Sequence, residues 1–425
     1  MIPMKLPPEV DVTIVGAGAA GLMAAIWAGR TNPRRKIIVL DGAAKLGAKI
    51  LVAGGGRCNV THDVVTVDAY AGSSRHAIKK VLQGFDVPAT IAFFRELGVD
   101  LKREETGKLF PTTDTARTVL NGLLQGARQT GVAIHHPCRV TEITRQADTF
   151  TVAGPCGRVQ TGRVILATGG KSLPKSGSDG YGYQLAKALG HTVTPHLLPA
   201  LVPLTLPKEH PICSLSGLTI DATLTVRAGS GKALASFTGS TLCTHFGLSG
   251  PAVLDISRYW LNAQLDDPQA TLVINWWPGL DAPAFDAQLL ALGKGAPITL
   301  LRQQLPDRLA RVLCEVAGVD PSAPGHNLTR DQRKALVRAV VEWPLPITGH
   351  RGFTYAEVTA GGVPLTEIDL KTMESRLCPG LFLCGEICDV DGRIGGYNFQ
   401  WAWSSGYVAG VAGCEEGRRQ KTEVR

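Results

Sequence analysis

Apolar positions crowd Val10 to Val15 with little alternation, the pattern of a strand buried on both faces of a parallel sheet. Leu22 to Ala28 then reads as a helix, stopped by Thr31-Asn32-Pro33, and Lys36 to Leu40 is a second apolar strand ending at Asp41. Strand, helix and strand in that order predict a βαβ opening. Val164 to Ala167 and Leu381 to Cys384 repeat the short apolar strand, closed by Thr168-Gly169-Gly170 and by Gly385-Glu386. Ligands of open α/β sheets collect at such carboxyl edges.

From about Pro195 the texture changes. Ala222, Leu224, Val226 and Ala228 alternate with Thr223, Thr225 and Arg227, which predicts a half-exposed antiparallel strand turned by Gly229-Ser230-Gly231. Thr271 to Trp276 offers another strand. Leu301, Leu305, Leu309, Val312, Leu313 and Val316 keep helical spacing, and Thr329 with Gln332 forms a capping box for a helix ending before Pro344. The α/β pattern resumes near Tyr355. The expectation is an α/β chain with a discontinuous dinucleotide-binding domain, residues 1–194 and 352–425. It is interrupted by a β-rich insert, 195–277 and 341–351, that carries a small helical subdomain, 278–340.

Composition narrows this picture. A length of 425 residues exceeds one ordinary core, and 44% hydrophobic against 19% charged is globular. The apolar run from Val12 to Gly29 imitates an export signal, but Asp11 heads it, glycines interrupt it and only Lys5 precedes it. A strand–turn–helix accounts for it better, and no membrane span is expected. Ten scattered cysteines without a C-x-x-C point to reduced thiols and a cytoplasmic location. The net charge of +8 suits anionic partners only weakly, since many enzymes carry it. Half of the excess lies in residues 294–340, with eight Lys/Arg against four Asp/Glu. Such a face is usually solvated; RNA docking is the second reading.

The strongest local motif is Gly16-Ala17-Gly18-Ala19-Ala20-Gly21, a G-x-G-x-x-G. Alone it is weak. Here it follows a strand, opens a helix and precedes Asp41 by twenty residues, as a dinucleotide fingerprint requires. Gly16 permits the turn, Gly18 admits a pyrophosphate, Gly21 lets helix and strand approach, and Asp41 would accept hydrogen bonds from a ribose. The fingerprint does not separate NAD from FAD. The C-terminal run does: Gly385-Glu386, then Gly395-Gly396-Tyr397-Asn398, then an apolar stretch to Val411. A helix starting near Asn398 would aim its positive end at the sheet edge and stabilise negative charge on a reduced flavin. NAD needs no such second segment, so the cofactor expected is FAD.

Lys49-Ile-Leu-Val-Ala-Gly-Gly-Gly-Arg-Cys-Asn59-Val-Thr61 resembles the K-x-x-x-[SA]-G-G-G-R-C-N-x-T motif of the HI0933-like flavoprotein family. Leu109-Phe-Pro111, Ala167–Gly170, Ser178-Asp-Gly180, Thr244–Pro251 and Gly395–Gly406 match the same pattern, so the resemblance spans almost the whole chain. It implies an FAD domain of Rossmann type, a β-barrel-like insert and a helical subdomain. It also implies NAD(P)H as a transient donor and reduction of conjugated C=C bonds, in steroid-like enones or a uracil ring of ribosomal RNA. Arg393-Ile394 departs from the small polar pair expected before the glycines.

Gly54, Gly55 and Gly56 expose backbone N–H groups, flanked by the cations Lys49 and Arg57, with Asn59 as donor and acceptor. Cys58 lacks a nearby resolving cysteine and is read as packing beside the cofactor. Val140, Thr168 and Gly169 complete the expected cofactor-binding set. His245, in Thr244–Pro251, and Tyr397 are the candidate proton donors. Trp401 and Trp403, at i and i+2, are expected on opposite helix faces, only one of them inward. His135 and His136 are expected in solvent, and Gly417–Arg425 frayed. No metal-ligand spacing and no G-x-S-x-G hydrolase motif occurs. The function expected is reduction of a conjugated C=C bond at FAD. Two alternatives stand beside it, an RNA-directed flavoenzyme and a non-enzymatic FAD redox sensor.

Overall fold

A computed structural model describes residues 6–415; the predicted fraying at Gly417–Arg425 lies outside the described residues. The chain divides into two units, one taking it up to Leu197 and again from Glu357, the other covering Leu198–Ala356.

The first unit is built on a seven-stranded sheet. Its hydrogen-bonded order is Ala133–His135, Ile37–Leu40, Glu9–Val15, Gly157–Leu166, Thr149–Gly154 and Glu142–Gln146, with Leu381–Leu383 also paired to Gly157–Leu166. The strands that meet at the predicted carboxyl edge run parallel: Val12–Val15 beside Ile37–Leu40 on one side and Arg163–Leu166 on the other. Leu381–Leu383 continues the parallel set against Val164–Leu166. Val12, Ile14, Val39, Val164 and Leu383 are fully buried, as a sheet covered on both faces demands. Helix Ala19–Thr31 packs on helix Tyr397–Ala412. Gly406 and Gly410 permit this, since a Cβ on either would lie 2.6 and 2.4 Å from the carbonyls of Ala20 and Ala24.

Both tryptophans of the closing helix are buried, which corrects the expectation that only one faces inward. The helix is covered on all sides. Trp401 Nε1 donates to Gly385 O at 3.0 Å, and Trp403 Nε1 donates to Val60 O at 2.8 Å. A helix enclosed by protein has no outer face to which a polar alternative could be assigned.

His135 and His136 are also not solvated. Both are partly buried, and neither Nδ1 has a protein partner. Burial holds the His135 pKa below its usual value. On acidification the unfolded chain therefore takes up the proton first. Stability from the neutral ring is complete above about pH 6.5 and falls as pH drops below it. Urea midpoints compared at pH 7 and pH 5 should fall less in His135→Asn than in the parent chain; equal falls would exclude His135 as the cause.

The second unit carries a seven-stranded antiparallel sheet. Its order is Trp343–Leu345, Thr271–Asn275, Thr219–Arg227, Ala233–Thr244, Gly247–Ser249, Leu204–Thr205 and Gly349–His350. The predicted alternation holds: Ala222, Leu224 and Val226 are fully buried, and the 229–231 turn joins Thr219–Arg227 to Ala233–Thr244. The two end strands do not pair with each other, so a closed barrel is not seen among the described residues. Helices Ala282–Leu290, Asp307–Val316 and Arg330–Val341 share one core with this sheet. The apolar spacing from Leu301 to Val316 is cut in two by Pro306, which precedes the second helix. Thr329 and Gln332 form the capping box in both directions.

Candidate active site

The glycines of the fingerprint are needed for three distinct reasons. Gly16 has φ +105°, and a Cβ there would lie 2.4 Å from Ala167 O. Gly21 could not be replaced without a Cβ 1.9 Å from Gly16 O. Gly18, by contrast, has nothing within 4 Å of such a Cβ. It faces open space and caps helix Ala19–Thr31, which has no side-chain cap and no acidic residue in its first turn. Uncapped N–H groups and the helix dipole favour an anion there. Ala19 and Ala20 start that helix, and Ala20 Cβ lies 2.7 Å from a Cβ built on Gly385, across to the neighbouring strand end.

Asp41 ends strand Ile37–Leu40 beside this turn. Its Oδ2 accepts from Ala17 N at 2.5 Å and its Oδ1 from Ala43 N at 2.7 Å. The carboxylate is thereby held at the glycine turn, with lone pairs left for hydroxyl donors. Val140 is buried close by, as are Thr168 Oγ1 and Ser178 Oγ, neither of which has a protein partner. Ser178 Oγ lies 2.8 Å from a Cβ built on Gly169, so that glycine is also tightly fitted.

The triple glycine breaks its helix. Ala48 begins it, but Gly54, Gly55 and Gly56 take φ +58°, +67° and +85°, and Cys58 follows at +61°. This left-handed run turns the backbone back on itself and suits glycine alone over three successive positions. Cys58 is fully buried, and burial pushes its thiol pKa far up, which leaves a packing role and no thiolate. Asn59 is buried as well, and its Oδ1 has no protein partner.

The two cations beside the glycines are already engaged. Lys49 Nζ donates to Ser172 Oγ at 2.5 Å and to Glu386. Glu386 also accepts from Ser172 Oγ at 2.8 Å and from Thr359 N at 2.9 Å. Arg57 pairs with Glu104 at 2.6 Å and stacks over Phe110 at 4.0 Å. Lys49 thus ties the first motif to Gly385-Glu386. Ser172 was not visible in advance, because nothing in its neighbourhood distinguishes it from any loop serine.

The C-terminal glycines meet the same segment. A Cβ on Gly396 would lie 2.6 Å from Thr61 C, and Gly396 caps helix Tyr397–Ala412 with no side-chain cap. Gly395 has φ +128°. Tyr397 opens the helix with its ring stacked on His62 at 5.0 Å and edge-on to Tyr70 at 6.0 Å. Tyr70 donates its hydroxyl to Tyr397 O at 2.8 Å. Asn398 turns back to Gly392, accepting from its N at 2.8 Å and donating to its O at 2.9 Å, so it fixes the loop. Behind them Gln400 is fully buried and accepts from Thr61 Oγ1 at 2.7 Å and Thr90 Oγ1 at 3.1 Å. His245 belongs to the second unit, exposed in the turn between strands Ala233–Thr244 and Gly247–Ser249.

Two uncapped helix N-termini, the open face of Gly18 and the orphaned Asn59 and Thr168 oxygens fit a dinucleotide cofactor. Sequence comparison decides the family. The model of the HI0933-like protein Rossmann domain matches residues 10–412. The chain belongs to the HI0933-like family. One relative in this family, the 3-dehydro-bile acid delta(4,6)-reductase of Clostridium scindens, is 35% identical over 95% of this chain and 99% of its own. Another, the ribosomal RNA dihydrouridine synthase of Escherichia coli, is 34% identical over 94% of this chain and 96% of its own. Among solved structures, an E. coli quinol fumarate reductase subunit aligns with TM-score 0.48 and 20% identity, over 97% of this chain and 71% of that one, too distant to bear on function. Among the described residues no helix is long and apolar enough to cross a membrane.

Proposed function

We propose that the protein is an FAD-dependent reductase that saturates a carbon–carbon double bond conjugated to a carbonyl, with NAD(P)H as donor. The observation that carries this reading is a pair of glycine-started, uncapped helices packed side by side, with Gly406 and Gly410 of the second against Ala20 and Ala24 of the first. One suits a pyrophosphate and the other the negative end of a reduced flavin. The relatives' names support the reaction class: a delta(4,6)-reductase and a dihydrouridine synthase both describe an enone-type double bond becoming saturated.

Bound at this edge, FAD supplies the two-electron redox chemistry. The protein's part is to hold it and to manage a proton. Gly18 and the first turn of Ala19–Thr31 receive the pyrophosphate, and Asp41 the ribose. The Lys49–Glu386 pair and the 54–56 turn shape the flavin end. With one fingerprint occupied by FAD, the nicotinamide docks transiently. Saturating the bond needs a proton as well as a hydride, and Tyr397 or His245 supplies it.

The two half-reactions separate these roles. Tyr397→Phe should leave anaerobic flavin reduction by NAD(P)H near the parent rate while slowing reoxidation by an enone about 100-fold. His245→Gln, measured alongside, should show that pattern if His245 is the donor instead. Parent-like reoxidation in both variants would remove the two residues from the mechanism.

A second reading, that the reducible base is carried by RNA, is favoured by one observation. Of the cations in 294–340, Arg302 and Arg311 are paired with Asp307 and Arg333 with Asp286. Arg330, Lys334 and Arg338 are exposed and without an ion-pair partner among the described residues.

A further inference from the structure

We infer that the second unit carries a phosphate-binding groove for single-stranded RNA, formed by Arg330, Lys334, Arg338 and Arg227. The inference rests on the second reading above and gives it a location. Three observations meet there.

The first is a stripe. Helix Arg330–Val341 places Arg330, Lys334 and Arg338 at successive i, i+4 positions, so one face presents all three. They span about 12 Å along the axis, more than one phosphate group occupies. Arg333 does not join them. It is turned inward, with 17% side-chain exposure, and its Nε holds Asp286 at 2.6 Å, fastening this helix to Ala282–Leu290.

The second is a cavity. A recess of about 520 Å³ opens beside the stripe, and Lys334 and Arg338 line it together with Arg227, Asp286 and Glu342. Both carboxylates are committed, Asp286 to Arg333 and Glu342 to Arg227 at 3.4 Å. Lys334 and Arg338 are left uncompensated, so the recess keeps a positive excess. Its lining includes Val273 and Val337, an apolar surface on which a base can rest.

The third is a half-used cation. Arg227 is 40% exposed at its side chain, its Nε has no partner, and its Nη2 meets Glu342 only at 3.4 Å. A guanidinium fork so loosely held has donors left for a phosphate oxygen, the acceptor its geometry fits best. Cations at phosphate spacing beside an apolar floor distinguish this groove from a merely solvated basic face.

The test is fluorescence anisotropy of a labelled single-stranded RNA oligonucleotide with the full-length protein, across a salt series. The parent chain should bind, with affinity falling linearly in log–log form as salt rises. The triple variant Arg330→Gln, Lys334→Gln, Arg338→Gln should lower that slope by about 2 and weaken binding about 100-fold at roughly 0.1 M salt, from about 0.7 per lost contact. Arg227→Gln alone should weaken binding and leave far-UV circular dichroism unchanged. Arg302→Gln, an exposed cation paired with Asp307, should bind as the parent does.

Parent-like binding by the triple variant would overturn the groove while leaving the RNA reading standing. No RNA binding by the parent chain would overturn both. AMP competing as well as the oligonucleotide would make the recess a mononucleotide site, and polyglutamate competing equally would reduce it to a general polyanion surface; either contradicts the inference.

Discussion

Gly18→Ala is expected to fold normally and to purify with little or no flavin, whereas Gly21→Ala is expected to fail earlier, at folding. The two glycines are three residues apart in one motif, and the difference lies in what a methyl group would meet. At Gly21 it would stand 1.9 Å from the carbonyl oxygen of Gly16, a backbone atom that cannot swing aside. Helix Ala19–Thr31 would have to lift off the sheet, exposing the fully buried Leu22, Met23 and Ile26. At Gly18 the methyl would meet nothing within 4 Å, and φ −79° suits alanine. The apoprotein should lose no more than the roughly 1 kcal/mol of a poorer N-cap. The same methyl would stand where the proposed site receives the pyrophosphate, so FAD affinity should drop on the order of 100-fold, about 2.7 kcal/mol. Isothermal titration of the two apoproteins with FAD, with thermal melts alongside, separates these outcomes. A Gly18→Ala protein that retains parent affinity would show that the cofactor does not pass over this turn.

Gln400→Met is expected to destabilise the first unit by roughly 2–4 kcal/mol, because it strips a buried network of its centre. The Gln400 side chain accepts from Thr61 and Thr90 and donates to Phe85 O at 2.9 Å and Ser404 Oγ at 3.2 Å. Losses are unequal. Thr90 Oγ1 still reaches Asp86 O and Phe85 O still receives Ser404 Oγ, but Thr61 keeps only a 3.5 Å contact to its neighbour's carbonyl. Thr61 ends the glycine motif and lies against Gly396, so the loss loosens both glycine-bearing segments together. Pairing the change with Thr61→Val removes the orphaned hydroxyl and should recover part of the loss. A double variant as unstable as the sum of the singles would show that the two residues are not coupled.

What could be read in advance followed from periodicity and from glycine. The parallel strands were legible because two-sided burial leaves an apolar run without alternation, and Val12 to Val15 shows it. The closing helix and its start were legible because paired glycines precede a long apolar stretch. That same second segment favours FAD over NAD. The contacts made by long polar side chains were not legible. Nothing in the sequence says that Lys49 reaches Glu386, 337 positions away, or that Gln400 rather than Asn398 ties the helix to the glycine motif. The tryptophan reading failed because helical spacing assigns faces only to a helix that has an outside. The basic segment was visible as a charge excess, but only the structure divides Arg333, held by Asp286, from Arg330, Lys334 and Arg338.

The reductase reading meets its most direct test in one anaerobic experiment. The purified protein is reduced with NADPH or NADH and then mixed with a 3-oxo-4-ene steroid, while the visible flavin band is followed. Bleaching by at least one nicotinamide is expected, with recovery of the band on adding the enone and none on adding its saturated analogue. A flavin that no nicotinamide bleaches, or a bleached flavin that neither the enone nor a uracil-containing RNA restores, would contradict it.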